Sequence, residues 1–150
     1  MAAWLAMALM AVPVAAKQDR YEAGQVWSYK TRPQDVGSLI RIHRIEPFGP
    51  KGSTALVYHV SIIGLSLGGQ PQSIVGHVPV SRETLDNSVV EIVRTDRQFP
   101  EPQSVEEGIE IWRTDEGGIF TILLAEIVNV IEQAQSGSPE SPAQSSSSIS

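Results

Sequence analysis

Three histidines, His43, His59 and His77, are the residues of this chain best suited to acid–base or metal chemistry near neutral pH. Each lies in its own β-patterned stretch: SLIRIHRIE, TALVYHVSIIGL and SIVGHVPV. In each stretch the alternation sets the histidine opposite the more apolar side. If those strands are neighbours, the three imidazoles share one face of a sheet. Such a face can hold zinc or copper and leave one coordination position for water. Against this, registers centred on the turns set His43 nearer Val57 than His59, so the rings need not converge. The expectation is therefore no metal and outward or hydrogen-bonded strand histidines. An enzyme that is metal-dependent or histidine-assisted at this face is the alternative.

The other candidate groups have plainer readings. Ser61 or Ser81 could act as a nucleophile with His59 or His77 and a carboxylate such as Asp86. Gly64-Leu65-Ser66-Leu67-Gly68 spells G-x-S-x-G, but it closes a strand and no helix follows, so it lacks the setting of a nucleophile elbow. Ser81 reads better as a helix cap. Gly68-Gly69 and Gly117-Gly118 match no phosphate-binding pattern and read as turns. Glu106, Glu107 and Glu110 read as a solvated helix face, and Trp27, Tyr29 and Trp112 as core. No catalytic residue and no cofactor are expected.

The elements that must position these groups follow from periodicity. After Gly24 the period is two: QVWSYKTR, SLIRIHRIE, TALVYHVSIIGL and SIVGHVPV are four strands, with Leu56, Tyr58, Val60 and Ile62 on one face of the third. RPQDVG, PFGPKGS and SLGGQPQ are the turns between them. The period then becomes helical. Ser81 caps RETLDNSVVEIVR, whose stripe is Leu85, Val89, Ile92 and Val93. Ser104 and Glu107 form a capping box for a short second helix weakened by Gly108, and Thr121 caps a third through about residue 134. Strands followed by helices predict an α+β domain: a four-stranded antiparallel meander with two or three helices on one face.

Length and charge narrow the function classes. The 150 residues carry 17 acidic and 11 basic side chains, a formal net charge of -6, and the lysines are only Lys17, Lys30 and Lys51. That is unsuited to nucleic acid or an anionic membrane surface. The absence of cysteine excludes disulfides, thiolate metal sites and a cysteine nucleophile. Residues 1–16 are apolar and uncharged and end in Val14-Ala15-Ala16, which predicts a secretory signal peptide cleaved after Ala16. Basic residues before the apolar run are missing, and an uncleaved anchor is the competing reading. After cleavage no membrane association is expected. Residues 135–150, QSGSPESPAQSSSSIS, predict a disordered tail. A single domain over residues 21–134 remains.

Five stretches together, GQVWSYKTR, VYHVSIIGL, GHVPVSRETLDNSV, EEGIEIWR and GGIFTILLAEIV, resemble a family of small signal-peptide-bearing proteins of Gram-negative bacteria that has no assigned activity. The resemblance implies an exported single domain and assigns no site residue. The resulting expectation is a non-catalytic binding or interaction module, periplasmic or secreted. Its protein partner would meet the open sheet face, where Arg41, His43, His59 and His77 lie with Ser61, Val57 and Ile63.

Overall fold

The computed structural model describes residues 20–137. The expected signal peptide and residues 138–150 of the expected tail lie outside them. Among the described residues five strands form one antiparallel sheet, β1 (Val26–Tyr29), β2 (Leu39–Pro47), β3 (Leu56–Leu67), β4 (Gln70–Val80) and β5 (Val89–Ile92), in the order β4-β3-β2-β1-β5. Three helices accompany it: α1 (Arg82–Ser88), α2 (Pro102–Thr114) and α3 (Leu124–Ser136). The α+β class and the meander of the first four strands are as expected. The fifth strand is not.

The β3–β4 hairpin shows how local sequence fixes the register. Leu67 pairs with Gln70, leaving Gly68 and Gly69 as a two-residue turn with φ of +56° and +77°. Positive φ at both central positions suits the right-handed twist of the flanking strands and favours glycine. The turn is thus shorter than SLGGQPQ suggested, and Gln70-Pro71-Gln72 belongs to β4.

Alternation divides the sheet into two faces. Trp27, Tyr29, Ile40, Ile42, Tyr58, Val60, Ile62, Val78 and Val80 point to one side and form a single core with Leu85 of α1 and Leu124, Ile127 and Val128 of α3. The chain from β4 to α3 is tied down beside that core. Val80 bridges Phe120, and Thr84 Oγ1 donates to the carbonyls of Phe120 and Ile122. The opposite side carries Val57, His59, Ser61 and Ile63, and α2 lies over it. Trp112 meets the His59 ring edge-on at 4.9 Å, while Val105 and Ile109 are buried outside the main core. A β-carbon at Gly108 would lie 3.1 Å from His77 Cβ, so the residue that weakens the helix also lets it sit close on the sheet. The expectation of helices on one face is corrected: α1 and α3 cover one side and α2 the other.

The remaining corrections concern element ends. Val89–Ile92 was expected inside a helix because Leu85, Val89 and Ile92 fit a helical stripe. Instead α1 stops at Ser88, and Val89 turns extended (φ -73°, ψ 151°) to pair with the outer edge of β1. The bonds Lys30 N–H to Ser88 O and Val93 N–H to Val26 O satisfy edge groups that β1 would otherwise leave open. α2 begins at Pro102, which needs no N–H partner in the first turn, and Ser104 Oγ–H donates back to Glu101 O instead of capping. α3 is preceded by Leu123, whose N–H donates to Glu126; Ser88 Oγ accepts from Leu124 N–H. Thr121 is not the cap, and the helix runs into the residues expected to start the tail.

A buried ion pair locks the far end. Arg32, 6% exposed, donates to Asp35 at 2.6 Å and reaches Glu132 and Asn129 of α3 and the Ser66 carbonyl. Gly68 N–H donates to Glu132, so the hairpin tip is held by the same network.

Candidate functional site

Glu46 near the end of β2, His59 in mid β3 and His77 in β4 meet beneath α2. His59 and His77 lie on adjacent strands whose register shifts locally between Val60 and Ile62. His59 Nε2 stands 2.9 Å from Glu46 Oε1, and His59 Nδ1 stands 2.8 Å from His77 Nε2. With Glu46 ionised, His59 donates from Nε2, so neutral His59 accepts at Nδ1 and His77 donates from Nε2. Arg113 of α2 grips both Glu46 oxygens at 2.9 and 3.0 Å, and Arg44 adds a contact at 3.3 Å.

The electrostatics keep these rings neutral. Burial lowers His59, outweighing the pull of Glu46 in the other direction. Burial, then the repulsion that protonated His59 and His43 would exert, lower His77 to about 4. Burial, then the charge of Arg41, lower His43 to about 4 against a smaller opposing effect of Glu106. Burial would raise the Glu46 carboxyl, but the hydrogen bonds from His59 and Arg113 prevail and hold it low.

The three histidines only partly converge. His43 lies at a register shift between Ile42 and Arg44, and its Nε2 meets Ser61 Oγ at 2.7 Å. Both nitrogens of His59 are engaged, so a metal there would have to displace Glu46 or His77. Among the described residues no group of three or more histidines, cysteines and acidic side chains is placed to hold a metal ion. Ser61 does touch a histidine, though His43 rather than His59, and Ser61 is fully buried, which denies a substrate any approach. Asp86 accepts from Tyr21 Oη–H at 2.6 Å, and Ser81 Oγ accepts from Thr84 N–H at 3.1 Å as the cap of α1. Glu106 pairs with Arg44, and Glu110 with Arg113.

The sheet face expected to be open is therefore covered. Val57, His59 and Ser61 have no exposed surface and Ile63 is 3% exposed, because α2 and its connector close over them. A partner cannot meet His59, and Arg41, His43 and His77 are half-buried.

The surface that is open lies at the end of α2. Phe48, Gly49 and Pro50 from the β2–β3 turn and Trp112, Arg113, Glu116 and Gly117 line a cleft of about 570 Å³. Trp112 was expected in the core. Its indole instead stands between the buried His59 and the cleft, with Phe48 6.0 Å away and inclined by 32°. Trp112 Nε1–H donates to Gly118 O at 2.9 Å. A β-carbon at Gly117 would fall 2.2 Å from Trp112 Cδ1, so only glycine leaves room for this ring position. Sequence reasoning read PFGPKGS and DEGG as punctuation alone. The signal it missed is an aromatic residue within or just before each of two glycine turns.

No family model, no curated protein and no solved structure matches this chain. No helix among the described residues is long and apolar enough to cross a membrane.

Proposed function

We propose that this chain is an exported, non-catalytic binding module that takes an aromatic side chain of a protein partner into the Phe48–Trp112 cleft. The cleft carries the reading. It is concave, walled by two aromatic rings, and its indole is pre-set by Gly117 and Gly118, so little ordering is required on binding. Residues 101–116 hold six acidic side chains, Glu101, Glu106, Glu107, Glu110, Asp115 and Glu116, against Arg113 alone. Arg113 is already engaged by Glu46 and Glu110. Ile111, 64% exposed, lies among these acids. The complementary partner segment presents its aromatic residue between lysines or arginines. Ser61, the serine that bonds a histidine, is fully buried, which supports a non-catalytic role. The apolar residues 1–16 support export.

Titration of ¹⁵N-labelled protein with a short Lys-Phe-Lys peptide tests the reading. The Trp112 indole N–H should shift and saturate, a Glu-Phe-Glu peptide should bind at least tenfold more weakly, and Trp112→Ala should abolish the response. Equal, non-saturating shifts with both peptides would refute it. Recovery of the chain in the cytoplasm with residues 1–16 attached would refute export.

One observation favours a second reading, a histidine-assisted or metal-dependent enzyme. The Glu46–His59–His77 chain aligns a carboxylate behind two imidazoles, as proton-transfer sites do. Uptake of one zinc ion per chain, lost in His59→Ala, would support its metal-dependent form, and no uptake on titration would remove that form.

A further inference from the structure

Arg41 occupies the middle of the covered face, opposite Val26 on β1 and Ser61 on β3. Its Nε is shut off from solvent and has no hydrogen-bond partner. The carboxylates of this face are committed elsewhere: Glu106 to Arg44 at 2.8 Å, and Glu46 to His59, Arg44 and Arg113. Among the described residues none forms an ion pair with Arg41. A guanidinium nitrogen shut off from water without a partner is costly, and a bound water or ion is one way such an atom is satisfied. The residue as a whole is half-buried, which leaves an approach from solvent. His43, two residues along the same strand, binds Ser61 through Nε2. When Ser61 donates in that bond, the neutral ring carries its hydrogen on Nδ1 and offers a second donor.

We propose that Arg41 anchors a site for a small oxyanion, a carboxylate or phosphate group, with His43 Nδ1–H as the neighbouring donor. The planar fork of arginine matches both anions, whereas a lysine ammonium would act only as a point charge. This site is separate from the Phe48–Trp112 cleft and does not depend on it.

The test uses the ¹⁵N-labelled chain at fixed ionic strength, titrated with inorganic phosphate and, separately, with acetate. At about pH 6, where both carry charge, the Arg41 Nε–Hε signal should shift and saturate. Saturation by phosphate alone or acetate alone tells the two sources apart. Bound phosphate offsets the charge of Arg41, so the titration midpoint of His43 should rise with phosphate in the wild type and stay fixed in Arg41→Met. Arg41→Lys keeps the charge and loses the fork. It should fold and bind at least tenfold more weakly, which covers a failure of Arg41→Met to fold. Linear, non-saturating shifts with both anions, or an equal phosphate response of His43 in wild type and Arg41→Met, would overturn the proposal.

Discussion

Acidification should loosen this domain well before its carboxylates titrate, and the histidines under α2 are the reason. His43 and His77 are lowered from 6.5 to about 4, first by burial, and His59 is lowered as well. An unfolded chain binds protons at these rings from about pH 6.5 downward, while the folded chain does not until about 4. The stability they contribute is thus complete above about 6.5 and is lost as pH falls from there towards 4. One pKa unit corresponds to about 1.4 kcal/mol, so each shift sets a ceiling of about 3 kcal/mol. Both rings keep some exposed surface, and the bonded His59–His77 pair resists a second proton. About 2–4 kcal/mol in all is the reasonable loss, a large part of the ~5–15 kcal/mol that typically holds a domain together. The charges facing these rings pull both ways, Arg41, Arg44 and Arg113 lowering and Glu46 and Glu106 raising, and burial remains the largest effect, so the sign does not change. Urea unfolding at intervals between about pH 7 and 5 measures the slope, in a range where glutamates stay ionised. His43→Gln combined with His77→Gln should flatten it. A wild-type stability that does not change over that interval, or the same slope in the double variant, would refute the reasoning.

Other substitutions probe the supports of the fold and cleft. Arg32→Met should cost about 3–5 kcal/mol by stranding Asp35, which is 1% exposed, and adding Asp35→Asn should restore part of it, as measured by urea unfolding. Gly117→Ala should displace the Trp112 ring at a cost of about 1–3 kcal/mol and weaken peptide binding, read by melting temperature and the indole N–H shift. Ser81→Ala removes the acceptor for Thr84 N–H and should cost about 1 kcal/mol with the cleft unaltered.

Strong local patterns were legible in the sequence. Alternation through Leu56, Tyr58, Val60 and Ile62 identified the core face of β3, and the Ser81 cap marked the start of α1, because both depend on neighbours along the chain. Val89–Ile92 misled, since its β-branched residues also satisfy a helical stripe. What decides is an edge of β1 some sixty residues earlier, which local sequence does not report. The position of α2 was hidden for a similar reason. Gly108 looked like a helix defect, and only its approach to His77 gives it a purpose. His43, His59 and His77 lie on the less apolar face as expected, but α2 covers much of it, so their partners are Ser61, Glu46 and each other. Arg41 was legible as a position and not as an unpaired charge, because pairing depends on where Glu46 and Glu106 turn.

The docking of α2 decides both the burial of His59 and the cleft, and proton–proton contacts measure it most directly. A NOESY spectrum at neutral pH should show cross-peaks from Gly108 Hα to His77 Hβ, since a β-carbon placed on Gly108 would lie 3.1 Å from His77 Cβ, and from the Trp112 indole to the His59 ring. Strand-to-strand cross-peaks across β2, β3 and β4 without either of these contacts would mean that α2 lies elsewhere, and the covered face and the aromatic cleft would both be wrong.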